Sequence, residues 1–237
     1  MRRSLSVLVI AVSLLVEVLP AGAATPASQV VAWYDFDERP GAVVDKSGHG
    51  HTMKVVSRGG AALRVVSRGG GRALQFPRKC RGAKCPRAVL QTPHRADLNP
   101  GQRRLVYGAT VRLPRRATTK GQNVLQKGYS AVGSQYKLQV DGILGRPSCV
   151  LVGAGLSGIH VVRSSISVAD GAWHAIQCRR VAGAVAVTVD GVPRGVAQIP
   201  ATLSITNRYP LSIGGKGVYT DNDQFQGAID DAYVTIG

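Results

Sequence analysis

The sequence predicts an all-β fold, an antiparallel sandwich or barrel, and three observations carry that reading. Helical periodicity is nearly absent. Short runs of alternating apolar and polar residues recur along the chain, separated by Gly, Pro, Asn and Asp. Asp190-Gly191 sits between two such runs in AVAVTVDGV, the dipeptide that favours a two-residue hairpin turn. Many evenly spaced strands without helices argue for a closed or two-layered β architecture.

The N-terminus stands apart from this pattern. Arg2 and Arg3 precede an apolar run, Leu5 to Val16, and Pro20 precedes Ala21-Gly22-Ala23. That is the layout of a secretory signal peptide over 1–23, cleaved before Ala24. A membrane anchor is the alternative, but Glu17 interrupts a run already too short to span a bilayer. No later segment holds eighteen apolar residues in a row. The sequence therefore reads as a signal peptide (1–23), a short linker (24–29) and one domain (30–237), secreted and extracellular.

The strand-sized runs follow in order: VVAWYDFD (30–37), RALQFP (72–77), RAVLQT (87–92), RLVYGATVRL (104–113), QYKLQVDG (135–142) and SCVLVG (148–153). IHVVRSS (159–165), WHAIQCRRVA (173–182), AVAVTVDGV (184–192), PLSIGG (210–215) and GAIDDAYVTI (227–236) complete them. Between the first two lies VVSRGG, present twice, at 55–60 and 65–70. Arg-Gly-Gly repeats occur in flexible nucleic-acid-binding tails. Here the valines alternate with serine, glycines supply a turn, and more strands follow, so the repeat reads as two neighbouring strands ending in turns. Export also argues against nucleic acid as a partner.

Four cysteines, Cys80, Cys85, Cys149 and Cys178, give an even count in an exported chain, which favours two disulfides among three possible pairings. Cys80 and Cys85 bracket a short loop, and Cys149 and Cys178 sit in strand-like runs, so the reading pairs them in that way. A zinc site is disfavoured because no C-x2-C spacing occurs and the five histidines are scattered.

Net charge is +17, or +16 once the signal peptide is removed. From Lys46 to Lys137 there are twenty Lys and Arg against one acid, Asp97; from Asp141 onward there are seven of each sign. A basic half of this kind attracts polyanions. Placed on one rim, Arg58, Arg68, Arg72, Arg78, Lys79, Arg81 and Lys84 form the expected polyanion patch. The alternative is a compositional bias toward Arg with no partner of its own.

Five segments in this order resemble the laminin G-like jelly roll of the concanavalin A-like lectin/glucanase superfamily, in its bacterial secreted type. They are AWYDFDERPGAVVDKSGHGHTMKV with its D-x-S-G-x-G turn at Asp45 to Gly50, RALQF, DGAWHAIQCRRVAGAVAVTVDGV, PLSIGG and FQGAIDDAYV. The resemblance spans Val30 to Gly237 and implies an antiparallel two-sheet jelly-roll sandwich. The first and last strands should then pair, with Tyr34 and Phe36 on one face and Trp173 in the core.

The resemblance also implies functions. Glycosidases of the superfamily carry Glu-x-Asp-x-Glu or a close relative, and this chain has one glutamate after the signal peptide, Glu38. Asp230 and Asp231 are adjacent and should point to opposite faces of a strand. No G-x-S-x-G occurs. The chain is therefore expected to be non-catalytic. The family's structural calcium implies Asp37 and Asp230, with a carbonyl from the Asp45–Gly50 turn, as candidate ligands; the alternative is that Asp45 caps its own turn. His49 and His51 read as turn residues rather than metal ligands. For a sugar, the best loop cluster is Tyr219 with Asp221 and Asn222. The expected partner is an extracellular glycan, bound by a carbohydrate-binding module. The alternative is an acidic polymer or protein bound by the basic half.

Overall fold

The computed structural model describes residues 28–38, 43–80, 82, 84–155 and 158–237. The signal-peptide reading, most of the linker and Arg81 lie outside them. Two antiparallel sheets pack face to face. In the first, the order is β13 (Val192–Gln198), β12 (Ala184–Val189), β11 (Trp173–Val181), β6 (Leu105–Arg112), β15 (Ala228–Ile236), β4 (Gly71–Gln75) and β3 (Arg64–Arg68). In the same sheet, β1 (Gln29–Tyr34) also pairs with β15. The second sheet runs β10 (His160–Arg163), β9 (Arg146–Val152), β8 (Ser134–Asp141), β7 (Gly121–Tyr129), β14 (Leu211–Ile213), β5 (Arg87–Thr92) and β2 (Lys54–Arg58). This is the expected jelly-roll sandwich. Among the described residues, helix is confined to single 3-10 turns, and no helix is long and apolar enough to cross a membrane.

Side-chain alternation builds the core directly. In β12 the residues Val185, Val187 and Val189 are buried, while Ala184, Ala186 and Thr188 face outward. Tyr34, Tyr107 and Tyr136 lie wholly inside, and each hydroxyl finds a carbonyl: that of His51 at 2.7 Å, of Lys137 at 3.2 Å and of Leu98 at 3.2 Å. Tyr34 and Phe36 share one face, as the pattern required. A lysine is buried too. Lys127 donates to the backbone and side-chain oxygens of Asn207, and burial pushes its ammonium down to about 8.

The C-terminal strand organises the first sheet. It pairs with β6 on one side, and on the other with β4 at Ala228 and Ile229, then with β1 from Ala232 to Ile236. The change of partner coincides with a β-bulge between Asp230 and Tyr233, where Asp231 adopts φ 46°. That bulge corrects the expectation that Asp230 and Asp231 face opposite ways. Both carboxylates accept from Nη1 of Arg68, at 2.6 and 2.7 Å. Burial pushes the Asp230 carboxyl above the usual carboxylate range, and the Arg68 guanidinium opposes that rise.

Each copy of VVSRGG is a strand plus a glycine turn, with Gly59, Gly60, Gly69 and Gly70 all at positive φ. The copies are not neighbours, however. β2 pairs with β5 at the edge of the second sheet, and β3 pairs with β4 at the edge of the first. Trp173 also departs from expectation. It is half-buried outside the core, with the guanidinium carbons of Arg112 and Arg68 at 5.0 and 5.4 Å from its ring centre.

Both disulfides form in the pairing read from the sequence, Cys80–Cys85 and Cys149–Cys178. The second joins β9 to β11 and so staples one sheet to the other through the core. Replacing Cys149 and Cys178 together by Ala should lower the unfolding free energy by about 3–4 kcal/mol, given the 29-residue separation. Urea denaturation measures this; an unchanged midpoint would show that the bridge does not constrain the chain.

Candidate functional site: a groove across the first sheet

The turn after β1 sets one wall of the groove. Asp45 accepts four hydrogen bonds, from the backbone N–H groups of Trp33 (3.0 Å), Ser47 (2.9 Å) and His51 (2.9 Å) and from the Ser47 hydroxyl (2.8 Å). Burial works to raise this carboxyl, but these donors hold it below the usual range. Asp45 therefore ties its own turn, and the turn grips β1: the Lys46 N–H donates to the Trp33 carbonyl, and the Ser47 hydroxyl to that of Val31. Lys46 and Ser47 stand beside Trp33 as a result.

The floor follows from register. Trp33 lies opposite Tyr233, Tyr233 opposite Gly108, Gly108 opposite Gln177, and Gln177 opposite Thr188. These five residues form one row across five strands. Since Tyr34 points into the core, Trp33 must point out, and it is 42% exposed. Gly108 makes the row possible. A Cβ there would sit 2.9 Å from the Tyr233 hydroxyl and 2.6 Å from the Ile176 carbonyl oxygen. The Tyr233 ring occupies that space, and Gln177 Nε2 donates to its hydroxyl at 2.5 Å. The resulting groove encloses about 870 Å³, with Thr110, Thr188 and Asp231 beside the aromatic row and Pro193 at the far end. Two aromatic side chains, an amide, hydroxyls and a carboxylate suit a ligand with apolar faces and hydroxyl edges.

Hydrolysis of a glycosidic bond needs two positioned carboxyl groups. Among the described residues lining the groove, Asp231 is the one carboxylate, and it is paired with Arg68. Its neighbour Asp230 is 3% exposed and paired with the same guanidinium.

The loop cluster expected for sugar does not assemble. Asn222 is buried and donates to the Gly217 carbonyl at 2.5 Å, locking its own loop. Asp221 and Asn222 line a recess of about 590 Å³ from which Tyr219 is absent. The calcium set does not fit either. Asp37 accepts from the Arg72 N–H, and Asp230 is held by Arg68, so a cation already occupies the second carboxylate. Among the described residues no three His, Cys, Asp or Glu side chains converge to hold a metal ion. His51 is buried against Asp97, and His49 stacks beside it.

The basic patch divides. Arg68 is bound to Asp230 and Asp231, and Arg72 donates from Nη1 to the Glu38 carbonyl. Arg58 ends β2 opposite Arg87, at the end of the sandwich where Arg78, Lys79 and Lys84 follow β4. The structure thus removes Arg68 from the patch, whereas Arg72 stays exposed with no carboxylate ion pair among the described residues. Sequence reading missed Trp33, Tyr233 and Gln177 as a unit. The alternation of Trp33 with Tyr34 was the available signal, but the register that places Tyr233 beside it was not.

Residues 107–235 match the Laminin_G_3 family model, described as Concanavalin A-like lectin/glucanases superfamily. The chain belongs to that superfamily. No curated protein matches its sequence. Among solved structures it is similar to domain 4 of AbnA, a GH43 extracellular arabinanase from Geobacillus stearothermophilus, in complex with arabinotriose. That match has a TM-score of 0.66 at 18% identity, over 89% of this chain and 93% of that one. It is also similar to the binding domain of Paraclostridial Mosquitocidal Protein 1, with TM-score 0.66, 11% identity and 87% of this chain covered. The binding domain of Botulinum neurotoxin DC in complex with rat synaptotagmin II gives TM-score 0.60 at 12% identity, again over 87% of this chain. The chain spans about half of each toxin domain, 48% in both cases. At these identities the likeness is one of fold. In this superfamily member the row from Trp33 to Thr188 depends on Gly108. Gly108→Ala should therefore cost about 1–3 kcal/mol in urea denaturation. A neutral result would mean that the Tyr233 ring does not lie over that position.

Proposed function

We propose that this protein is exported and serves as a non-catalytic module that binds carbohydrate in the Trp33–Tyr233 groove. The observation that carries the reading is the cross-strand pair itself. Two aromatic side chains, neighbours in cross-strand register, stand on one outward face, with the Gln177 amide and Asp231 beside them. Sugar rings offer C–H faces to aromatics and hydroxyl edges to amides and carboxylates, and such a site needs no metal. Export is supported by the signal-like N-terminus and by two disulfides, which persist in oxidising compartments. The AbnA domain of similar fold, solved with arabinotriose, supports the ligand class. The single carboxylate on the groove supports a binding rather than a hydrolytic role.

Calorimetric titration with neutral arabino- and gluco-oligosaccharides tests the reading. Trp33→Ala should weaken binding about tenfold, the equivalent of about 1.4 kcal/mol from one lost aromatic contact. No product should accumulate with the wild-type protein. Turnover that disappears in Asp231→Asn would overturn the non-catalytic assignment, and unaltered affinity in Trp33→Ala would move the ligand elsewhere.

A further inference from the structure

We propose a second site, for an acidic polysaccharide, at the end of the sandwich where β4 and β6 finish and β3, β11 and β15 begin. Its acid groups would lie among Arg64, Arg78, Lys79, Arg112 and Arg116. Cross-strand register creates the place. Arg64, Gln75, Ala228, Arg112 and Trp173 form one row across the first sheet. Ala228, in the middle of that row, is fully covered by its longer neighbours. Arg64, Gln75 and Arg112 instead line a recess of about 740 Å³, bounded on its other sides by Arg78, Lys79 and Arg116. Trp173 steadies Arg112, whose guanidinium carbon lies 5.0 Å from the ring centre.

A cluster of exposed arginines is commonly just a solvated face, and three observations distinguish this one. First, among the described residues none of the five cations makes an ion pair with a carboxylate. The one acid on the wall, Asp170, accepts from His174 and from the Ala172 N–H. Five like charges around one hollow repel one another, and an anion relieves that repulsion. Second, the hollow is large and continues. A second recess of about 590 Å³ shares Arg78 and Gln226 with the first; its wall adds Arg87 and Lys120, and also the carboxylates of Asp221 and Asp223, the latter paired with Lys216. A water molecule takes up about 30 Å³, so this space suits consecutive units of a polymer rather than one small ion. Third, among the described residues Oε1 of Gln226, at the junction of the two recesses, is buried without a hydrogen-bond partner. It needs a donor, which a sugar hydroxyl supplies and a bare oxyanion does not. Guanidinium groups pair in a forked geometry with carboxylate and sulfate alike, so uronate and sulfated chains are the two sources of the shared chemistry.

The test uses the full exported chain with dextran sulfate, polygalacturonate, neutral dextran and duplex DNA as probes at low salt. In one variant Arg64, Arg78 and Arg116 become Gln. In the other, Arg95, Arg104 and Arg208 become Gln; these are exposed arginines away from the recess, and the net charge falls by the same amount. The recess variant should lose about tenfold or more in affinity for at least one acidic polysaccharide, against about threefold or less for the control. Comparing the sulfated with the carboxylated polymer identifies the source. Equal losses in the two variants would overturn the site, leaving total charge as the only determinant. Duplex DNA bound as tightly as the polysaccharides would overturn the ligand class. Failure of this test leaves the Trp33 titration untouched, because neutral sugars in the groove do not engage these arginines.

Discussion

One ion-paired bulge holds the first sheet in register. At Asp230 and Asp231 the C-terminal strand exchanges β4 for β1 as its outer partner, and a single guanidinium, that of Arg68, binds both carboxylates. Arg68 lies opposite Gly71 in the ladder, and the Asp37 carboxylate fills the space where a Gly71 side chain would stand. The geometry matters because strand faces alternate. Moving the bulge by one residue would turn Tyr233 into the core and Ala232 out to solvent. The pair is also costly to break. An aspartate as buried as Asp230, deprived of its cation, destabilises the fold by several kcal/mol.

Groove and clamp are therefore one structure. Tyr233 stands two residues beyond Asp231, and its position opposite Trp33 follows from where the bulge ends. Asp45 does the corresponding work on the other side, fixing Trp33 through its backbone and bringing Lys46 and Ser47 alongside. The basic recess lies at the end of the same sheet, and Trp173 touches both systems: the guanidinium carbons of Arg68 and Arg112 both lie over its ring, at 5.4 and 5.0 Å from its centre. A strongly cationic chain thus has two kinds of arginine. Arg68 and Arg180 act inside the structure, Arg180 by donating to the carbonyls of Leu203, Gly101 and Arg103. Among the described residues, Arg64, Arg78 and Arg116 have no carboxylate partner.

Much of the fold was legible because it rests on local signals. Period-two alternation in AVAVTV, the Asp190-Gly191 turn and the two glycine pairs after VVSR each specify backbone shape within a few residues. The disulfide pairing followed from strand placement and export. What was not legible depends on register between distant segments. The row Trp33–Tyr233–Gly108–Gln177 joins residues as far apart as 33 and 233, and no local pattern encodes that alignment. The opposite-face expectation for Asp230 and Asp231 failed for the same reason: a bulge breaks the alternation that the inference assumed. The patch lost Arg68 because sequence shows charge but not which charges are already paired. Tyr219 with Asn222 looked like a sugar site because a buried loop-locking asparagine reads the same as an exposed one.

The most direct test of the clamp is a double-mutant cycle between Arg68→Met and Asp230→Asn, followed by urea denaturation. The account predicts that Arg68→Met alone costs about 3 kcal/mol or more, and that adding Asp230→Asn recovers part of the loss, with a coupling of about 2 kcal/mol. Additivity within about 0.5 kcal/mol would contradict it, because the two residues would then contribute independently and the bulge would be held by something else.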